Sequence, residues 1–220
     1  MNVDWATFWP RIFEATSETL YMVSATLFFG SIFGIFLGLL LYVSRENNIL
    51  ENKWLFHILN FLINLIRPIP FIIFLVAISP LTRAVIGTTI GTTAAIFPMT
   101  IVATFSIARI VENNLVSIDP GVIEAAQAMG ASPIRIIFTV LIPEALGPLV
   151  LGLTFMTISL IDFSAVAGTV GGGGLGHVAM TYGYQRFDTS VMIVTVVILI
   201  VMVQLAQWMG NTLSKKIMRK

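Results

Sequence analysis

Cysteine is absent, which excludes disulfides, thiolate metal sites and cysteine nucleophiles. Histidine is nearly so: His57 and His177 are too few for a histidine-based metal site without carboxylate help. Charge is scarce as well. Asp, Glu, Lys and Arg make up 10% of the 220 residues, against roughly 25% in an ordinary soluble domain. Twelve basic and eleven acidic residues leave a net charge of +1, too weak a field for binding nucleic acid. A basic stretch followed by an apolar core and a small-residue cleavage site is also missing from the start, so the first apolar run itself is expected to insert. Apolar residues take up the rest: 57% of the chain is hydrophobic and the mean hydropathy is +0.94. This is the composition of a membrane protein.

A bilayer core about 30 Å thick needs about 20 apolar residues in a helix. Five runs qualify: Leu20–Val43, Leu55–Ser79, Gly87–Ala108, Ala145–Val170 and Val191–Met209. They are continuously apolar rather than alternating, which predicts helices and not a barrel. An odd number of spans puts the termini on opposite sides. Arg45, Lys53, Arg109, Arg135, Lys215, Lys216, Arg219 and Lys220 fall on one side, against Arg11, Arg83 and Arg186 on the other. The positive-inside rule then predicts an outer N-terminus and a cytoplasmic C-terminus, with the C-terminal cluster resting on anionic lipid. Trp5, Phe8, Trp9, Ile12 and Phe13 share one helical face, predicting a short interfacial helix over residues 1–19. Gly30, Gly34 and Gly38 form a smooth strip for close helix approach; it serves either a subunit interface or packing within one chain.

Catalytic patterns are mostly eliminated. The sequence holds no His-Glu-x-x-His, no Gly-x-Ser-x-Gly and no second intramembrane Asp, and the chain is not expected to be an enzyme. Gly171 to Gly174 lack the Lys-Ser/Thr ending of a phosphate loop; four adjacent glycines instead suit the end of the fourth helix and a tight re-entrant turn with positive φ. Two intramembrane charges remain, Arg67 and Asp162. A central charge costs roughly 2.5 to 3.5 kcal/mol to insert, so neither is expected to face lipid. Counted at about 1.5 Å per residue, they lie roughly 17 to 18 Å and 25 Å from the cytoplasmic surface, near enough to meet. They either line a polar path or form a buried structural ion pair. In Arg67-Pro68-Ile69-Pro70, two prolines predict a bend or break.

The longest loop, 109–145, carries the most regular signals. Asp119-Pro120 supplies an N-cap and a first-turn proline, Gly130 a stop, and Ser132-Pro133 a second start. Pro143 is expected to interrupt that second helix. The result is a helix, a glycine turn and a helix beneath the membrane, in which Glu124-Ala125-Ala126 sets one carboxylate beside two small side chains. That shape suits docking into a groove on a partner.

Glu124-Ala125-Ala126, Gly130-Ala131 and Val140-Leu141-Ile142-Pro143 together resemble the EAA loop of ABC-importer permeases. Ile66 to Phe71, Ala125 to Pro133, Gly173 to Gly176 and Tyr182 to Tyr184 are similar to the methionine-import permeases within that family, and the similarity runs from the first span to the C-terminus. The resemblance implies an all-α, five-span, type I importer permease making up residues 1–220 as one transmembrane domain in a bacterial inner membrane. It implies a homodimer that alternates between inward and outward openings, two ATPase subunits carrying the ATP and Mg, an external binding protein and no cofactor in this chain. Glu124, Ala125, Ala126, Gly130 and Ala131 would form the coupling helix and its turn. Arg67, Pro68, Pro70, Asp162, Phe163, Ser164 and Val166 are the candidate path residues, with Asp162 suited to attract an amino group. The sequence departs from the methionine permeases at Asp162, where they carry glycine, and at Val166, where they carry methionine. Methionine is the first expected cargo, with another amino acid such as histidine, or a short peptide, as the alternative. An ion-coupled secondary transporter using Arg67 and Asp162 is the alternative of another class, although no inverted repeat is visible in the sequence.

Overall fold

A computed structural model describes residues 4–218; the interfacial expectation for residues 1–3 and the basic pair Arg219 and Lys220 lie outside them. Among the described residues the regular structure is helical, in ten α-helices and two π-helical turns. Helix α1, Trp5–Val43, is capped by Asp4, whose carboxylate accepts from the Ala6 N–H. It continues through Pro10 and through the boundary expected near residue 19, so among the described residues the N-terminal helix is not separate from the first span. Physically, a short amphipathic helix needs a surface to lie on, and here the surface is the chain itself. Phe8, Ile12 and Ala15 are buried against Leu175, Val178 and Val191, while Trp9 and Phe13 stay exposed. At about 1.5 Å per residue α1 is roughly twice as long as a bilayer core is thick.

The second expected span is broken. Helix α2, Lys53–Ile66, and helix α3, Phe71–Ala77, meet at a bend of 104°, because Pro68 and Pro70 cannot donate the backbone bonds a continuous helix requires. Helix α4, Ser79–Ile86, ends at Gly87 with φ +87°, and Gly91 also has positive φ. These glycines delay α5 to Thr92–Val116, some five residues past the expected start. Helix α6, Pro120–Ala128, and α7, Pro133–Ile136, follow. A π-helical turn, Ile137–Leu141, then joins α7 to α8, Ile142–Thr169. Contrary to expectation Pro143 interrupts nothing: it sits in the first turn of α8, next to the π-helical turn, and Pro133–Thr169 is one span-length unit. The loop expected over 109–145 is therefore helical at both ends. Helix α9, Gly174–Val178, a second π-helical turn, Ala179–Tyr184, and α10, Thr189–Met218, complete the chain. Among the described residues four helices are long and apolar enough to cross a membrane, and the bent α2–α3 pair can supply a fifth crossing.

The core is centred on α1 against α5. Gly30, Gly34 and Gly38 are buried on α5, so the strip packs within the chain. A Cβ at Gly34 would stand 2.7 Å from Ile107 Cβ and 2.9 Å from the Thr104 carbonyl. By contrast α10 buries Val191, Thr195 and Ser214 and leaves most of its apolar surface open.

Candidate coupling platform and translocation path

The platform is built by local hydrogen bonding. Asp119 Oδ1 accepts from the Gly121 N–H at 2.8 Å and starts α6. The helix ends in a Schellman turn: Gly130, at φ +76°, donates to Gln127 O at 2.9 Å, and Ala131 donates to Ala126 O at 3.1 Å. Ser132 then caps α7 through the Arg135 N–H. Ala126 is buried with Ile118, Leu115 and Ile136, which fastens the platform to the end of α5 and the start of the fourth span. Glu124, Ala125 and Gly130 are exposed and Ala131 is half-buried. Around them Val122, Met129, Ile134 and Phe138 also stand open, Met129 at 81%. An apolar patch with one carboxylate on a rigid two-helix corner has the chemistry of a docking knob.

The candidate path residues do not all converge. Arg67 ends α2, its N–H donating to Ile63 O, and it is exposed together with Pro68 and Pro70. Asp162 is exposed on the same face of α8 as Phe155. Arg67 and Asp162 form no ion pair among the described residues, so of the two alternatives the buried structural pair is absent within one chain. Phe163 is turned toward the break, its ring stacked on Phe71 at 4.6 Å and 19°. Ser164 faces inward: it is buried and its hydroxyl donates to Ile161 O at 2.7 Å. Val166 packs half-buried against the core. The quartet Gly171 to Gly174 does end α8, with positive φ at Gly171, Gly173 and Gly174. The turn is tied to α1, where Glu18 accepts from Gly174 N at 2.6 Å and Thr19 from Leu175 N at 2.9 Å.

One cluster escaped sequence reasoning. Glu112, 3% exposed, receives Arg45 at 3.1 Å and Arg109 at 2.5 Å, and Arg109 also donates to Asn60 and Asn64. Its signal was present in the Arg109–Glu112 spacing and in two asparagines one turn apart within an apolar run. At the connection between α1 and α2, Glu46 is exposed, and its hydrogen bond to the Lys53 ammonium holds its carboxyl below the usual range. Among the described residues no group of three His, Asp or Glu side chains is placed to hold a metal.

Comparison with known proteins agrees with this architecture. The family of binding-protein-dependent transport system inner membrane components matches residues 16–219. A probable D-methionine transport system permease protein MetI from Vibrio cholerae is 46% identical over 206 residues, covering 94% of this chain and 92% of the relative. The D-methionine transport system permease protein MetI of Escherichia coli K12 is 47% identical over 151 residues, 69% of this chain and 70% of the relative. A solved inward-facing structure of the MetNI methionine ABC transporter superposes with a TM-score of 0.94 at 41% identity, covering 98% of this chain and 99% of that one. A crystal structure of an amino acid ABC transporter with histidines, 21% identical and covering 98% and 100%, shares the fold at a TM-score of 0.80. With the family pattern spanning nearly the whole sequence, the chain belongs to the binding-protein-dependent transport system inner membrane components, the permeases of bacterial ABC importers.

Proposed function

We propose that the chain is the membrane-spanning subunit of an ATP-driven importer that carries methionine across the bacterial inner membrane. Its relatives are permeases of D-methionine systems, and the observation that carries the mechanism is the Schellman-capped platform with its exposed carboxylate and apolar rim. Two copies pack around a shared axis, with the N-terminus outside and the C-terminus in the cytoplasm. Two ATP-hydrolysing subunits seat the platforms at Glu124, Ala125, Ala126, Gly130 and Ala131, and an external binding protein delivers cargo. ATP closure draws the platforms together; because Ala126 is buried with Leu115 and Ile136, the motion passes to α5 and the fourth span. Hydrolysis resets them. ATP and Mg are held by the partner, and this chain supplies no catalytic group.

The path runs past Arg67, Pro68 and Pro70 at the break and past Asp162, Phe163 and Val166 on α8, with Ser164 a backbone-facing support. Asp162, exposed on the open face of α8, offers a carboxylate to the cargo's ammonium; the same group favours a second reading in which another amino acid, such as histidine, or a short peptide is carried. Arg67 and Asp162 are not paired, and an ion-coupled mechanism has no buried pair to start from. The test is to purify the tagged chain from its native membrane in mild detergent and compare it with a Glu124→Lys, Gly130→Pro double variant. A P-loop ATPase recovered with the natural chain and lost from the variant is expected. No ATPase with either form would overturn the reading.

A further inference from the structure

The two sides of the Arg67–Pro70 break are held by different kinds of contact. On one side, α2 buries a single residue, Ile63, in a small cluster with Leu41 and Ala108. Apolar packing alone holds it weakly. Its polar face does more, because Asn60 and Asn64, one turn apart, both accept from Arg109 Nη2 at 2.7 Å. The other terminal nitrogen of Arg109 donates to Glu112 Oε2 at 2.5 Å, and Arg45, just past α1, donates to Glu112 Oε1 at 3.1 Å. A carboxylate this buried is costly unless its oxygens are matched; here a guanidinium takes each one. Glu112 thus joins α1 to α5 and, through the orientation it gives Arg109, joins both to α2.

On the other side, α3 packs by apolar contact alone against both α5 and α8: Phe71 and Phe74 are buried in the main core, and Phe71 lies flat on Phe163 of α8. Between the two attachments Arg67, Pro68 and Pro70 are exposed, and the backbone bonds of the turn, Arg67 to Ile63 and Ile69 to Ile66, are local. Glu112 also stands one turn before the end of α5, where Leu115 and Ile118 share a core with Ala126 of the platform. A displacement of the platform therefore reaches the clamp through α5.

We propose that Glu112 is a positioning residue for transport: by fixing Arg109 it clamps α2 to the α1–α5 pair, so that the angle between α2 and α3 changes at Arg67–Pro70 while α2 and α5 stay together. This rests on the importer reading above. The clamp makes the proline break a hinge between a frame fixed by charged hydrogen bonds and an element, α3, held by apolar packing alone.

The chain has no cysteine, so label pairs can be introduced one at a time. In the full complex with its ATPase partner, in lipid vesicles, spin labels are placed at Ile58 and Val76 or at Ile58 and Asn113, with labelled chains diluted by unlabelled ones. Nucleotide is expected to shift the Ile58–Val76 distance and to leave Ile58–Asn113 unchanged. An equal shift in Ile58–Asn113, or none in Ile58–Val76, overturns the proposal. Glu112→Gln keeps the shape of the side chain, and Asn60→Ala with Asn64→Ala removes the acceptors without stranding a buried charge. Both are expected to retain the ATPase and its hydrolysis while cargo imported per ATP falls about tenfold, the equivalent of one charge-assisted hydrogen bond. Import and hydrolysis falling in proportion would make the cluster a mere scaffold and overturn the assignment. Recovery of no ATPase with the natural chain would overturn the importer reading itself, and is told apart because it precedes any variant.

Discussion

The α1–α5 pair in the membrane and the α6–α7 platform below it both depend on glycine, for opposite reasons. At Gly34 a side chain has nowhere to go, since Ile107 and the Thr104 carbonyl already fill the space. At Gly130 nothing lies within 4 Å of where a Cβ would be, and the residue is glycine because φ is +76°. Crowding at the first position marks a contact completed within the chain. Open space at the second, with Met129 and Phe138 exposed beside it, leaves the corner free for the proposed docking. The same residue type thus serves a packed contact in one place and a turn on an open surface in the other.

The strongest way to break this comparison is Gly34→Leu. It should cost about 2 to 3 kcal/mol by overpacking, read as a large drop in melting temperature and yield in detergent, with any transport defect following from lost protein. Gly130→Pro acts the other way round: it removes the N–H that reaches Gln127 and should abolish ATP-driven uptake and ATPase retention while the membrane helices stay folded by circular dichroism. Uptake persisting with normal assembly would sink the coupling role. Phe163→Ala takes away a stacked ring worth about 1 kcal/mol beyond its area; a modest loss of melting temperature and a larger loss of uptake rate are expected. Met129→Ser leaves the isolated chain as stable as before, since that side chain is open, yet should shorten the lifetime of the ATPase complex on a sensor surface. The smallest effect is expected at Glu46. Its carboxyl titrates below the usual range because Lys53 binds the charged form, so its contribution is complete above the ordinary carboxylate pKa and disappears as pH falls through the lowered one. The pair is fully exposed, so Glu46→Gln should leave melting at neutral pH unchanged.

The sequence carried the platform well, because its signals are local: Asp119, Gly130 and Ser132 each act through hydrogen bonds to residues within a few positions, and each does what its chemistry predicts. The proline break and the glycine turn after α8 were legible for the same reason. What was missed depends on distant partners. The N-terminal aromatic face reads alike whether it lies on lipid or on α9 and α10, and only the fold shows Phe8 and Ile12 covered by protein. The glycine strip could not say whose helix it meets. Charge in an apolar run makes Arg67 and Asp162 conspicuous, whereas Glu112, closer to the end of its helix, stands out less and is the buried one. Pro143 was misread because a proline in the first turn of a helix and one that stops a helix have the same sequence appearance.

The π-helical turn Ile137–Leu141 gives the fourth span an angular setting as well as a length. Each π turn holds an extra residue compared with an α turn, and one residue of α-helix corresponds to about 100° of rotation. The platform residues before it and the proposed path residues after it are therefore keyed at an offset, like two gears mounted on one shaft with a fixed phase between them. Deleting one residue from that turn would leave both gears intact, and would turn the platform by about 100° relative to the proposed path residues.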